Sequence, residues 1–186
     1  MCVKAAFESH SWSPRAELLG ADDVTDADLA AMVATLWQVP SVRLVETAAG
    51  TVPYDVPSIL TGARTWVRGT ADDGSGPRAF TFFVKRVHSW RHSPAFAMVP
   101  PDLQEWAAST VPWRAEPLAY ASDLAERLPD GLSMPRALRV EERPDDTAVL
   151  WLEEVDCAPL PWTADDSVRA ARLLGRLAAK IGRAHV

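Results

Sequence analysis

Two cysteines, Cys2 and Cys157, are too few and too far apart for a disulfide framework or a cysteine metal site. No apolar run is long enough to span a bilayer, and the N-terminus has no signal-type hydrophobic core, so neither membrane nor export is expected. A cytoplasmic, reducing location follows as the default. Excess positive charge is also missing. The net charge of −6 argues against nucleic acid as the main partner, which usually calls for a basic patch. No repeat or low-complexity tract interrupts the chain. Hydrophobic residues at 48% and charged residues at 24% of 186 positions are those of a folded domain.

What is present centres on AFTFFVKRVHSW, Ala79 to Trp90. Phe80, Phe82 and Val84 alternate with Thr81, Phe83 and Lys85, which predicts a buried strand. A lysine there needs either an anionic partner or an anionic ligand. The simpler alternative for an isolated lysine is an edge strand facing water. Upstream, Ala-Asp-Asp-Gly-Ser-Gly-Pro marks a hairpin turn after a strand over Arg64 to Thr70, preceded by another over Val42 to Thr47. The segment between those two strands is rich in turn residues.

Residues 1–24 read as a loose lead-in, with Trp12 docking at no predictable place. Thr25-Asp26-Ala27-Asp28 has the form of a helix start. Leu29, Met32, Val33, Leu36 and Trp37 follow at helical spacing until Pro40 ends the run. A linker rich in proline and histidine covers His88 to Pro112. Trp113 to Leu128 predicts a helix starting near Ala115, since Pro117 is tolerated only in a first turn. Strands are expected over Arg136 to Glu142 and Ala148 to Glu154, and a last helix over Thr163 to Ala179. The fold class is therefore α+β, with five strands, two of them antiparallel across the polar turn.

Three blocks, WRAEPLAYASDLAERLPDGLSMPRAL, VLWLEEV and RAARLLGRL, following FFVKRV in that order, resemble the aminoglycoside phosphotransferase family, a branch of the protein-kinase-like fold. The resemblance runs from the first helix to Ala179. It implies a kinase-like small lobe over 25–155: a five-stranded antiparallel sheet, a preceding helix, and a C-type helix carrying a carboxylate. Residues 156–179 would then hold the connection and the first helix leading to a large lobe absent from this sequence. By the same resemblance Lys85 holds the α- and β-phosphates of ATP, and Glu116 holds the lysine. The loop Val52 to Gly62 lies over the phosphates, with Gly62 its only glycine near the tip and no G-x-G-x-x-G. Glu154, Val155 and Asp156 form the hinge whose backbone bonds adenine, and Leu152, Val67 and Val84 wall the base pocket or are simply core.

The implied cofactor is ATP, with magnesium only where the large lobe supplies its ligands. The implied partners are a nucleotide and, for a full-length parent, a small-molecule alcohol acceptor. No His-Gly-Asp-type loop or later metal-binding aspartate follows Asp156. Asp165 and Asp166 read as first-turn helix charges. The expectation is a truncated phosphotransferase fragment, inactive as written. The alternative is a standalone non-catalytic nucleotide-binding or protein-interaction module, and a plain α+β domain is a third reading. A lobe cut at its interface would expose apolar side chains such as Leu173, Leu174 and Leu177.

The last residues, IGRAHV, match in frame a common sequencing adapter read as ATC GGA AGA GCA CAC GTC, with a stop codon next and an AG that completes a lysine codon at Lys180. Residues 180–186 are thus expected to be an adapter-derived tail, interrupting the helix at Gly182. His88 and His92 have an i, i+4 spacing, but Ser93-Pro94 follows and no third ligand is offered, so they read as loop histidines. Most of the eight tryptophans fall at core positions, and Asp26-Ala27-Asp28 is helix-start chemistry rather than a metal motif.

Overall fold

The computed structural model describes residues 11–53, 58–155 and 163–183. Its centre is a five-stranded antiparallel sheet in the order β1-β2-β3-β5-β4. The strands are β1 (Arg43–Thr51), β2 (Thr61–Asp72), β3 (Pro77–His88), β4 (Ala137–Arg143) and β5 (Thr147–Glu153). The helices are α1 (Arg15–Leu19), α2 (Asp26–Trp37), α3 (Gln104–Thr110), α4 (Ala115–Ala121), α5 (Leu124–Arg127) and α6 (Ala164–Arg183). No helix among the described residues is long and apolar enough to cross a membrane.

The lysine strand β3 lies in the middle of the sheet, between β2 and β5, so the edge-strand alternative fails. Its alternation divides the core in two. Phe80, Phe82 and Val84 join Val67, Val149 and Trp151 on one face, where Leu29, Met32 and Val33 of α2 cover them. Phe83 and Val87 join Leu150 and Leu152 on the other, under Trp113 and Tyr120. Edge-to-face contacts link Phe82 with Trp151 on the first face and Phe83 with Trp66 on the second.

Helix α2 begins as its sequence dictates. The Thr25 hydroxyl oxygen accepts from the Asp28 backbone N–H at 3.1 Å and donates to the Asp28 carboxylate at 2.8 Å. It ends at Trp37 because Gln38 adopts a left-handed conformation, φ 58°, before Pro40 is reached. In the β2–β3 turn, the Asp72 carboxylate accepts from the Gly74 and Gly76 N–H groups, and both glycines sit at positive φ.

Several expectations need correction. Residues 11–24 are docked rather than loose. Ser13 bridges to Ala49, the Arg68 guanidinium lies 3.7 Å from the centre of the Trp12 ring, and Arg15 is buried against Asp23 and Asp26. The linker contains 3₁₀ turns and α3, each short because prolines break it. The helix expected over Trp113 to Leu128 is broken at Ser122, whose hydroxyl donates to the Ala119 carbonyl and accepts from the Leu124 N–H, separating α4 from α5. The last helix continues through Gly182 to Arg183, so glycine does not stop it there. The rest of the proposed tail, 184–186, lies outside the described residues.

Two substitutions test this core. Leu29→Ala, which removes a side chain with no exposed surface, should cost about 2–5 kcal/mol in urea unfolding. Gly69→Ala should cost about 1–3 kcal/mol, because the added carbon meets the Glu46 carbonyl and comes within 2.6 Å of the Phe80 ring.

Candidate functional site

Lys85 points to the face that α4 covers, the same side as Phe83 and Val87, two residues away in either direction. There its Nζ donates to Oε2 of Glu116 at 2.6 Å. Lysine is 17% exposed and glutamate 35%, so the pair is largely withdrawn from water but open along one side. Glu116 is the second residue of α4, where the positive end of the helix favours a carboxylate. Pro117 follows in the same first turn, buried and without a backbone N–H to lose. Arg114, just ahead of α4, pairs with Glu142 of β4 at 2.6 Å and ties the helix to the sheet edge.

Burial raises the pKa of the Tyr120 hydroxyl, one turn after Glu116, and the glutamate charge adds to the shift. Tyr120 is therefore a neutral hydrogen-bonding group beside the ion pair. On β2, Arg64 stands opposite Lys85 in register, and on β5 Leu150 does. Glu154 and Val155 follow directly after β5, four and five residues beyond Leu150. At a strand's rise of about 3.3 Å per residue this places Glu154 roughly 13 Å along the sheet from the lysine. Leu152 and Phe83, paired across β5 and β3, lie between them on the same face.

The predicted residues are thus only partly assembled. Lys85 and Glu116 meet, and Glu154 and Val155 end the neighbouring strand. Gly62 belongs to β2 rather than to a loop tip, opposite the step between Val87 and Arg86. The space beside its Cα is occupied by His88 and Arg86, on the face away from Lys85. Asp156 and residues 54–57 of the proposed phosphate loop lie outside the described residues. Val67 and Val84 cannot wall a pocket with Leu152. They are fully buried on the α2 face, because Val84 is adjacent to Lys85 and adjacent strand residues point to opposite sides. Phe83 and Trp66, passed over by the sequence reading, occupy that place instead; strand parity counted from Lys85 would have found Phe83.

No family model, curated protein or solved structure matches the chain. Among the described residues no three His, Cys, Asp or Glu side chains are grouped to hold a metal ion. What the arrangement offers chemically is a cation held in position by a carboxylate at the edge of an apolar, partly aromatic surface.

Glu116→Gln should destabilise the fold by about 1–3 kcal/mol, since it leaves a mostly buried ammonium without its counter-charge. A double-mutant cycle with Lys85→Met and Glu116→Leu should return a coupling of about 0.5–3 kcal/mol.

Proposed function

We propose that this chain is the nucleotide-binding lobe of a kinase-like phosphotransferase that acts on a small-molecule alcohol, with ATP as donor. The observation that carries the reading is the 2.6 Å pair between Lys85 on the central strand and Glu116 on a separate helix. A lysine fixed in this way presents its charge at a defined point, which is what placement of a triphosphate requires. Phe83 and Leu152 supply apolar area for a base along the strand direction, and the backbone at Glu154 and Val155 supplies hydrogen-bonding groups at its end.

As written, the sequence carries no His-Gly-Asp-type base loop after the hinge and no later metal-holding aspartate. In this reading no residue present is assigned a catalytic role, and magnesium would need ligands other than those named here. The acceptor is not specified by any residue present.

Calorimetric titration with ATP tests the reading. Saturable binding that Lys85→Met weakens about tenfold or more, with the urea midpoint accounting separately for any loss of folded protein, supports it. Binding that is absent, or indifferent to Lys85, removes it.

The second reading, a non-catalytic interaction module, is favoured by α6, where Val168 is exposed and Leu174 is 60% exposed. Leu173, by contrast, reaches Gly131. Failure to bind ATP, together with concentration-dependent self-association that Leu174→Glu abolishes in sedimentation, would favour that alternative.

A further inference from the structure

On the face of the sheet away from Lys85 lies a cleft of about 510 Å³, within the size range of small-molecule sites. Its walls come from the start of β2, the end of β3, the 3₁₀ turns after β3, and the β4–β5 turn. The lining is mostly polar, and two groups in it are incompletely satisfied.

The first is His88. It is 7% exposed, and its Nδ1 lies 2.8 Å from the Ser89 carbonyl oxygen. A carbonyl only accepts, so the Nδ1 proton is committed there. Nε2 makes no hydrogen bond among the described residues and is an acceptor in the neutral ring. The second is Arg86. Its Nη1 lies 3.4 Å from Oδ2 of Asp22, and its guanidinium makes no hydrogen bond among the described residues. Arg86 and His88 project from the same face two residues apart on β3, and both pack directly against Gly62.

Arg143 completes the electrostatics. It donates to Asp22 at 2.8 Å and to the Ala21 carbonyl at 2.7 Å, and its Nε donates to Glu141. Burial opposes its charge, but the hydrogen bonds to Asp22 and Glu141 outweigh burial and raise its pKa. Asp22, 6% exposed, anchors both guanidiniums, and Glu141 takes up the rest of the Arg143 charge, so Arg86, with its longer 3.4 Å contact, is the guanidinium left with free donors. Asp145 also lines the cleft, and the Thr147 hydroxyl holds its carboxyl below the ordinary range. A ligand here meets one guanidinium fork able to bind an oxyanion, together with imidazole and carboxylate acceptors that want hydroxyl donors.

The geometry points to a binding site for a small hydroxylated oxyanion, a polyol carboxylate or polyol phosphate. Its anionic group sits on Arg86 and an adjacent hydroxyl donates to Nε2 of His88. The site is independent of the nucleotide reading, since it uses the opposite face of the sheet. Gly62 belongs to it as the residue whose missing side chain leaves room for His88 and Arg86 to hold their positions: a Cβ there would lie 2.9 Å from His88 Cδ2 and 3.0 Å from Arg86 Nε.

Five probes titrated into the ¹⁵N-labelled full chain, with amide shifts followed by NMR, test this: glycerate, glycerol 3-phosphate, acetate, inorganic phosphate and glycerol. Saturable shifts around Arg86 and His88 are expected for one or both of the first two, with Kd of roughly 1 mM. Whichever binds more tightly identifies the carboxylate or the phosphate class. Acetate and glycerol should each bind at least about fivefold more weakly, as each lacks one of the two groups. Arg86→Met, at a side chain 42% exposed, should weaken the tighter probe about tenfold or more while leaving the urea midpoint nearly unchanged. Gly62→Ala should weaken it by displacing Arg86 and His88. His88→Gln should reduce its affinity to that of acetate or inorganic phosphate, whichever shares its anionic group. Absence of saturable shifts with either hydroxylated anion overturns the site, as does binding indifferent to both Arg86→Met and Gly62→Ala. Acetate binding as tightly as glycerate overturns the role given to His88.

Discussion

The two-residue alternation of β3, at the centre of the sheet, is the constraint on which the rest of this structure depends. A strand buried on both sides must send successive side chains to different layers, and β3 does so from Phe80 to His88. Helix α2 covers one layer and α4 the other. Lys85 falls in the α4 layer by parity alone. An ammonium there is tolerated because α4 brings a carboxylate at its N-terminal turn, so that desolvation of the lysine is offset by a short ion pair. A one-residue slip of β3 would send the lysine into the aliphatic layer beneath α2, where Leu29 and Val33 offer it nothing.

The same alternation delivers Arg86 and His88 to the opposite side. There the partner charge comes from Asp22, in the 3₁₀ turn after α1, more than sixty positions earlier in the chain. That turn is fixed in its own right. Arg15 donates to the Val24 carbonyl and pairs with Asp23 and Asp26, which locks the approach to α2, while Arg143 reaches in from β4. The N-terminal segment is thus an electrostatic cover over one end of the sheet. Its order depends on charges spread over β3, β4 and α2 together with Leu19, which is buried in the core on the α2 side.

Local signals account for what could be read in advance. Alternating aromatic and β-branched residues marked β3, an apolar run marked β5, Thr25 with Asp28 marked the start of α2, and the Asp-Asp-Gly-Ser-Gly run marked the β2–β3 turn. The pairing of Lys85 with Glu116 was an expectation drawn from the order of the elements and the family resemblance, and the two side chains do meet. What escaped was decided at long range or by competing local chemistry. Ser122 splits a segment that is apolar at helical spacing, because its hydroxyl satisfies two backbone groups at once. Residues 11–24 have no periodicity, yet they dock through a bridge, a stacked guanidinium and a buried arginine. The assignment of Val67 and Val84 to a pocket with Leu152 ignored parity, which the sequence itself contained.

By itself, then, the sequence determined the α+β class, the strand character of β3 and the alternation of its residues between two faces. Each follows from spacing along the chain and from short-range backbone chemistry. Only the tertiary structure decided that Asp22 meets Arg86 and Arg143. It reaches them from a turn position whose distance along the chain carries no trace of the contact. Ion pairs between separate elements depend on how helices settle on a sheet. That is fixed by the volumes of the side chains between them, a property of the whole core rather than of any stretch of sequence.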